Sequence, residues 1–286
     1  MLKFMSLSSG SCGNCYFLTD GKAGLIIDAG VSLRRLKKTL TERGFNLDSF
    51  QAVLVTHDHL DHIRHLGAWC KHLAKPVYAT AVLHDALAAH TFTRDWIAPC
   101  RRMLDSKETL LRLLPDLPDA DCPLVRQFVV PHDATETVGY FITWHGIRFF
   151  LMTDAGRVTD EALEYASQSD SVVIESNYDM GMLIGGPYTH QLKMRICKGN
   201  GHLSNDECAA ALRLIWHPGL RNIFLCHLSE NNNTPSLAFE ASAEALRSID
   251  AGNGHTAKDV TNLQTLPRST ASCFYDIYHY IAELPQ

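Results

Sequence analysis

The sequence predicts a layered α/β protein, with sheets packed inside and helices outside. Three observations carry that expectation. Short apolar runs of strand character occur in both halves of the chain. Segments with helical spacing of apolar residues are interleaved with them. Several of the apolar runs also stop at a histidine or a carboxylate, as strands do when they feed a site at the edge of a sheet.

In chain order, "LKFMSL" is a first strand and runs into the loop "SSGSCGN". "CYFLTD" and "GLIIDAG" are joined by "GKAG", a hairpin signal. Residues 31–43 place Val31, Leu33, Leu36 and Leu40 at roughly helical spacing, and Gly44 ends the segment. "AVLVT" is a short apolar strand; 62–74 and 80–90 read as helices, with Pro76 between them. Phe92 to Cys122, with Pro99, Pro115 and Pro118, reads as an irregular excursion over the surface. "LVRQFVV" and "VGYFITW" are strands, and "HG" turns the chain into a third, "IRFFLMT". A helix near 159–168, the strand "SVVIES", a long loop, a helix at 205–216, the strand "NIFLC" and a helix near 235–249 follow. The tail is expected to add a strand around 271–279 and to complete the second sheet, within a single domain spanning 1–286.

A chain of 286 residues, 46% hydrophobic and 20% charged, can bury a large core and has an ordinary globular composition. Its net charge of −5 provides no global basic field, so a nucleic-acid substrate has to be held by local basic residues or by metal ions. The amino-terminal stretch lacks a long apolar run after a basic segment, and no membrane association is expected. Nine cysteines without an export signal favour reduced thiols and a cytoplasmic location. Cys12 and Cys15 form a C-x-x-C with no second pair to complete a zinc ribbon. Cys226 is expected in the core, and scattered histidines such as His72, His84 and His279 at the surface or in the core.

The informative stretch is "THDHLDH" at 56–62, directly after "AVLV". Imidazole nitrogen and carboxylate oxygen are the usual ligands of zinc and similar ions. Four such groups in six residues do not easily reach one ion, which favours two adjacent metals. Three more strands end alike: "VRQFVVP" at His132, "RFFLMT" at Asp154 and "NIFLC" at His227. The expected sets are His57, His59 and His132 on the first metal and Asp61, His62 and His227 on the second, with Asp154 bridging. Zinc, manganese or iron suits such shells.

The H-x-H-x-D-H run with later His, Asp and His resembles the metallo-β-lactamase fold. That resemblance implies a four-layer αββα sandwich with a dinuclear site at one edge of the two sheets. A dinuclear site activates water near neutral pH, which serves lactams, thioesters, lactones and phosphodiesters alike, so the fold alone does not choose a substrate.

The choice comes from Glu175, which closes "SVVIES", and His202 in "GHLSN". Ser204 and Glu207 have capping-box spacing, so a helix should begin near Asn205 with His202 just ahead of it. Its amino end would favour an anion such as phosphate. A Glu after a strand with a later His before a helix resembles ribonuclease Z, where the matching pair assists departure of the leaving oxygen. "SGSCGN", "ESNYD", "GPY", "LKMRI", "GHLSN" and "HLSENNN" resemble the YycJ (WalJ) group, whose members are similar to 5′–3′ DNA exonucleases. The resemblance runs from the amino terminus to about Asn233.

The candidate catalytic residues are therefore Asp61, Glu175 and His202, with Glu175 keeping His202 protonated as proton donor. Tyr188, Lys193, Arg195, Ser204 and Asn233 are the candidate substrate contacts, through base stacking, phosphate binding or orientation. The expected function is a dinuclear metal-dependent nuclease, most simply a 5′–3′ exonuclease preferring DNA to RNA. The rivals are a glyoxalase II-like thioesterase or lactonase, which needs no Glu–His donor, and a non-catalytic nucleic-acid-binding scaffold, which would be expected to have lost ligands.

Overall fold

Side-chain alternation along the strands sets the layering. Along Ile147–Met152, Phe149 and Leu151 enter one apolar cluster while Phe150 and Met152 enter another, because neighbours on a pleated strand face opposite sides. The same split separates Val173 from Val172 and Ile174, and Phe224 and Cys226 from Ile223 and Leu225. One face therefore packs against a second sheet and the other against helices.

The computed structural model describes residues 1–105 and 108–278; His279 lies outside them. Among the described residues two mixed seven-stranded sheets form the sandwich. The first runs, edge to edge, through Tyr275–Ile277, Leu2–Gly10, Gly13–Thr19, Gly24–Ile27, Ala52–Leu54, Val77–Ala79 and Arg101–Met103. The second runs through Asn262–Thr265, Asn222–Cys226, Ser171–Glu175, Ile147–Met152, Val138–Trp144, Leu124–Val129 and Thr109–Leu110. Phe4 of the first sheet meets Phe149 and Phe224 of the second, with ring centroids 5.2 and 5.0 Å apart. Leu33–Glu42, Leu66–Leu73 and Ala81–Ala89 bury Leu36, Trp69 and Leu83 in the core of the first sheet. Asp160–Ala166, Asn205–Ile215 and Pro235–Arg247 bury Ala162, Leu212 and Leu246 against the second. The result is the αββα arrangement that the sequence predicts.

In the second sheet, Ile147–Met152, Ser171–Glu175 and Asn222–Cys226 run parallel. Leu124–Val129 shares their direction, because it and Ile147–Met152 are both antiparallel to Val138–Trp144 between them. Four carboxyl ends thus open on one edge. The turn that makes this possible is "HG": His145 and Gly146 have φ of 51° and 76°, two successive left-handed residues as a tight hairpin requires.

Several expectations change. The segment expected as one helix over 62–74 is two, Leu60–Ile63 and Leu66–Leu73. The excursion over 92–122 contains Arg101–Met103 and Thr109–Leu110, each closing an edge of a sheet. The long loop before 205 contains helices Met180–Gly185 and His190–Cys197, capped by the side chains of Asp179 and Thr189. Their shortness, and glycines at 181, 185 and 186, hide the helical period. The tail serves both sheets rather than the second alone. Asn262–Thr265 pairs parallel with Asn222–Cys226, whereas Tyr275–Ile277 pairs antiparallel with the first strand. No helix among the described residues is long and apolar enough to cross a membrane.

Phe4 is fully buried between the sheets. Phe4→Ala is expected to lower the unfolding free energy by about 3–5 kcal/mol, read by urea denaturation.

Candidate metal centre and proton donor

The site is built from chain ends that leave the sheets. Past Ala52–Leu54 the chain passes directly into His57 and His59, and the short helix Leu60–Ile63 holds Asp61 and His62. Gly30 lets another loop cross close behind, since a Cβ there would lie 1.9 Å from the Asp61 carbonyl oxygen. His132, Asp154, Glu175 and His227 come from the carboxyl ends of four of the five strands of the second sheet that share one direction.

Two groups of potential ligand atoms result, each within 4.8 Å: His57, His59, His132 and Asp154, and Asp61, His62, Asp154 and His227. Asp154 faces both. Its Oδ1 lies 3.2 Å from His62 Nε2, and its Oδ2 lies 3.9 and 3.7 Å from the Nε2 atoms of His57 and His132. Each ring has one nitrogen engaged by the surrounding protein. His62 Nδ1 donates to Asp28 Oδ2 at 2.7 Å, His132 Nδ1 to the Gly201 carbonyl at 2.7 Å and His227 Nδ1 to Glu175 Oε1 at 2.9 Å. His57 Nδ1 lies 3.0 Å from the Thr56 hydroxyl, and His59 Nε2 lies 3.3 Å from the Asp133 carbonyl. Fixing one imidazole nitrogen in this way aims the other at a metal.

His57 Nε2 is the diagnostic atom. It is buried and has no hydrogen-bond partner among the described residues, a costly state for a polar atom unless something else binds it. Burial and then the neighbouring His62 push the His57 pKa well below its usual value, toward the neutral form a metal ligand needs. Burial opposes ionisation of Asp154, but His227 and then His62 outweigh it and hold the carboxyl well below the usual range. The donor set fits divalent ions.

A third group joins Asp154 and His227 to Glu175 and His202. Glu175 is fully buried. Its Oε1 accepts from His202 Nδ1 at 2.7 Å and from His227 Nδ1 at 2.9 Å, and its Oε2 accepts from the backbone N–H groups of Ala155 and Leu203. Burial acts to lower the His202 pKa, but the Glu175 charge and hydrogen bond outweigh it and raise it. Gly201 lets the chain reach this position: a Cβ there would sit 2.0 Å from the Ile196 carbonyl oxygen, and His202 N–H donates to that same oxygen.

These groups face a cleft of about 250 Å³, whose opposite wall carries Tyr188, Leu192, Arg195 and Ile196 from the helix His190–Cys197 and the loop before it. The seven predicted ligand residues, Glu175 and His202 are thus brought together; of these His59, Asp61, Asp154, His202 and His227 line the cleft, and Tyr188 and Arg195 line it with them. Arg195 pairs with Asp133. Three candidate substrate contacts are placed elsewhere. Lys193 Nζ donates to the Ile184 carbonyl at 2.6 Å and does not line the cleft. Ser204 is buried in the capping box with Glu207. Asn233 is buried and binds the carbonyls of Ser176 and Asn177 and the side chain of Asn205. Ser204 and Asn233 hold the loops that carry the site.

Sequence reasoning missed Asp28 and Asn14. Asp28 is fully buried in a left-handed conformation, φ 64°, and accepts from Thr56 N–H, the Thr56 hydroxyl and His62 Nδ1. It ends the strand in "GLIID", so the rule that singled out Asp154 also points to it. The Asn14 amide donates to Asp61 Oδ2 at 3.1 Å and lies 2.9 Å from His62 Nε2; only its place in "SGSCGN" hinted at a role.

Residues 24–227 match the beta-lactamase superfamily domain. The chain is 30% identical to exodeoxyribonuclease WalJ of Streptococcus pneumoniae serotype 2 over 252 residues, 88% of this chain and 91% of that one. It is 29% identical to exodeoxyribonuclease YycJ of Bacillus anthracis over 253 residues, 88% and 92% of the two chains. Zinc-bound PqqB from Methylobacterium extorquens shares the fold, with a TM-score of 0.68 at 17% identity, over 96% of this chain and 100% of that one. The protein belongs to the beta-lactamase superfamily, in the family of WalJ and YycJ, and is a metal-dependent hydrolase.

Asp28→Asn removes the charge that orients His62. It is expected to weaken divalent-metal binding about 10–100-fold, measured by competition with a chelating dye, with the circular dichroism of the parent retained.

Proposed function

We propose that this hydrolase is an exodeoxyribonuclease that degrades DNA from the 5′ end, with His57, His59, Asp61, His62, His132, Asp154 and His227 holding two divalent ions, zinc or manganese or iron. The relatives named as exodeoxyribonucleases support the substrate class. The observation that carries the chemistry is the 2.7 Å hydrogen bond from His202 Nδ1 to the buried Glu175 beside both ligand groups.

Divalent ions bound there supply Lewis-acid stabilisation of negative charge and ionise water near neutral pH. The residues of the chain supply the rest. Cleaving a phosphodiester expels an alkoxide, a poor leaving group without a proton. His202 lines the cleft, and with Nδ1 tied to Glu175 its Nε2 is the nitrogen left to give that proton. Asp61 lies on the cleft wall, where its carboxylate can accept a hydrogen bond from an attacking water. Tyr188 offers a face for a base, and Arg195, beside Asp133, a cation for the backbone. Thiolate leaving groups need no such donor, so the Glu175–His202 pair favours a phosphodiester over a thioester. The nine cysteines, all free thiols, agree with action in the cytoplasm.

His202→Ala tests the donor. Loss of about 10²–10⁴-fold in DNA cleavage is expected, with metal content unchanged and a much smaller loss on a p-nitrophenyl phosphodiester, whose leaving group needs no proton. DNA cleavage at the parent rate would remove His202 from the mechanism.

A further inference from the structure

A second cavity, of about 280 Å³, adjoins the cleft. Ser11 lines both. So does one stretch of chain, in alternation: His227 and Ser229 face the cleft, while Leu228 and Glu230 face the second cavity. The alternation begins at His227, whose left-handed backbone, φ 52°, turns the chain as it leaves the strand Asn222–Cys226. The two spaces are therefore neighbouring lobes that share Ser11, with the stretch from His227 to Glu230 between them.

The second lobe is built from fixed parts. Arg268 Nε and Nη2 donate to the carbonyls of Leu228 and Asn233 at 3.0 and 2.7 Å. The Arg268 carbonyl accepts from Ser9 N–H and from the Ser8 hydroxyl. Ser9 Oγ in turn accepts from His227 N–H at 2.9 Å. The wall of the second lobe and a residue of the proposed metal centre thus share one scaffold. Leu228 and Pro235 give the lobe apolar surface, and Ser11, Glu230 and Arg268 give it polar groups. That mixture suits a nucleoside better than a bare phosphate, because Glu230 offsets the charge of Arg268. Size points the same way. Each lobe alone falls short of the roughly 300 Å³ at which ligand pockets begin, whereas the two joined lie within that class.

Resting on the nuclease reading above, we infer that the second lobe is a subsite for the nucleotide next to the scissile phosphate, so that a DNA strand passes over Ser11 with one nucleotide on each side. Binding of a strand then draws on both lobes, and binding of a mononucleotide on the cleft alone.

Cys12 is exposed on the wall of the second lobe and Glu230 is exposed at its rim. Cys12→Trp and Glu230→Trp, made separately in the full chain, would each fill the lobe. Fluorescence anisotropy would measure affinity for a labelled, hydrolysis-resistant phosphorothioate oligodeoxynucleotide, and competition would measure affinity for thymidine 5′-monophosphate. Both variants are expected to weaken oligonucleotide binding by about tenfold, the scale of one lost base contact, with a much smaller change for the mononucleotide. No loss in either variant, equal losses for both ligands, or no oligonucleotide binding by the parent would overturn the subsite. Cleavage of unmodified DNA by the parent is scored separately. Selective loss of oligonucleotide binding in the variants, with a parent that cleaves no DNA, would uphold the lobe as a strand-binding site and refute the nuclease reading.

Discussion

The buried carboxylate of Glu175 is the constraint on which the site depends. An ionised group without exposure is tolerable only when donors replace its water. Here four do: two imidazoles and two backbone N–H groups, from Ala155, Leu203, His202 and His227. Charge-assisted bonds of this kind are strong and directional. They fix Ala155 beside Asp154, Leu203 beside His202, and the ring of His227 itself. One side chain thereby registers a strand end, two loops and a proposed metal ligand against each other. Asp28 does the same on the first sheet, where it ties Thr56 to His62. The two halves of the sandwich each bring a buried acid to the shared edge, and Asp154 lies between the two ligand groups so formed.

Under the proposed function, this arrangement couples metal binding to proton donation. His227 and His202 accept their orientation from the same oxygen, Glu175 Oε1. A shift of that carboxylate would move a ligand and the proton donor together. The helix His190–Cys197 adds a further link, since its Ile196 carbonyl holds the His202 N–H while Leu192, Arg195 and Ile196 form the opposite wall of the cleft. Contact with a strand at that wall is thus one hydrogen bond away from His202, the proposed proton donor.

Much of this was legible in the residues because the strands end where the chemistry begins. The apolar runs before His57, His132, Asp154, Glu175 and His227 are short and unambiguous, and the topology turns their ends to one edge. A layered α/β protein followed from the same runs, and the αββα order from the resemblance to the metallo-β-lactamase fold. What the sequence hid has physical causes. The helices Met180–Gly185 and His190–Cys197 are too short to show a period, and the second, with the loop before it, makes the wall that decides which basic residues reach the cleft. On that wall Arg195 faces in, while Lys193 turns to the Ile184 carbonyl. Ser204 and Asn233 read as polar residues near a site, but their hydrogen bonds close on the protein itself. Asp28 is a carboxylate at a strand end like Asp154, but it precedes the H-x-H-x-D-H run and so falls outside the pattern of later His, Asp and His. Tyr275–Ile277 could have joined either sheet by pattern; the ring contacts of Tyr275 with Phe4 and Phe224 accompany its place beside the first strand.

The central claim is that the cleft hydrolyses DNA. The direct measurement is digestion of 5′- and 3′-end-labelled DNA, single- and double-stranded, with matched RNA and a generic thioester alongside, in the presence of zinc or manganese. The expected result is metal-dependent release of nucleotides from the 5′ end of DNA, with slower attack on RNA and none on the thioester. Thioester hydrolysis with every nucleic acid left intact would contradict it.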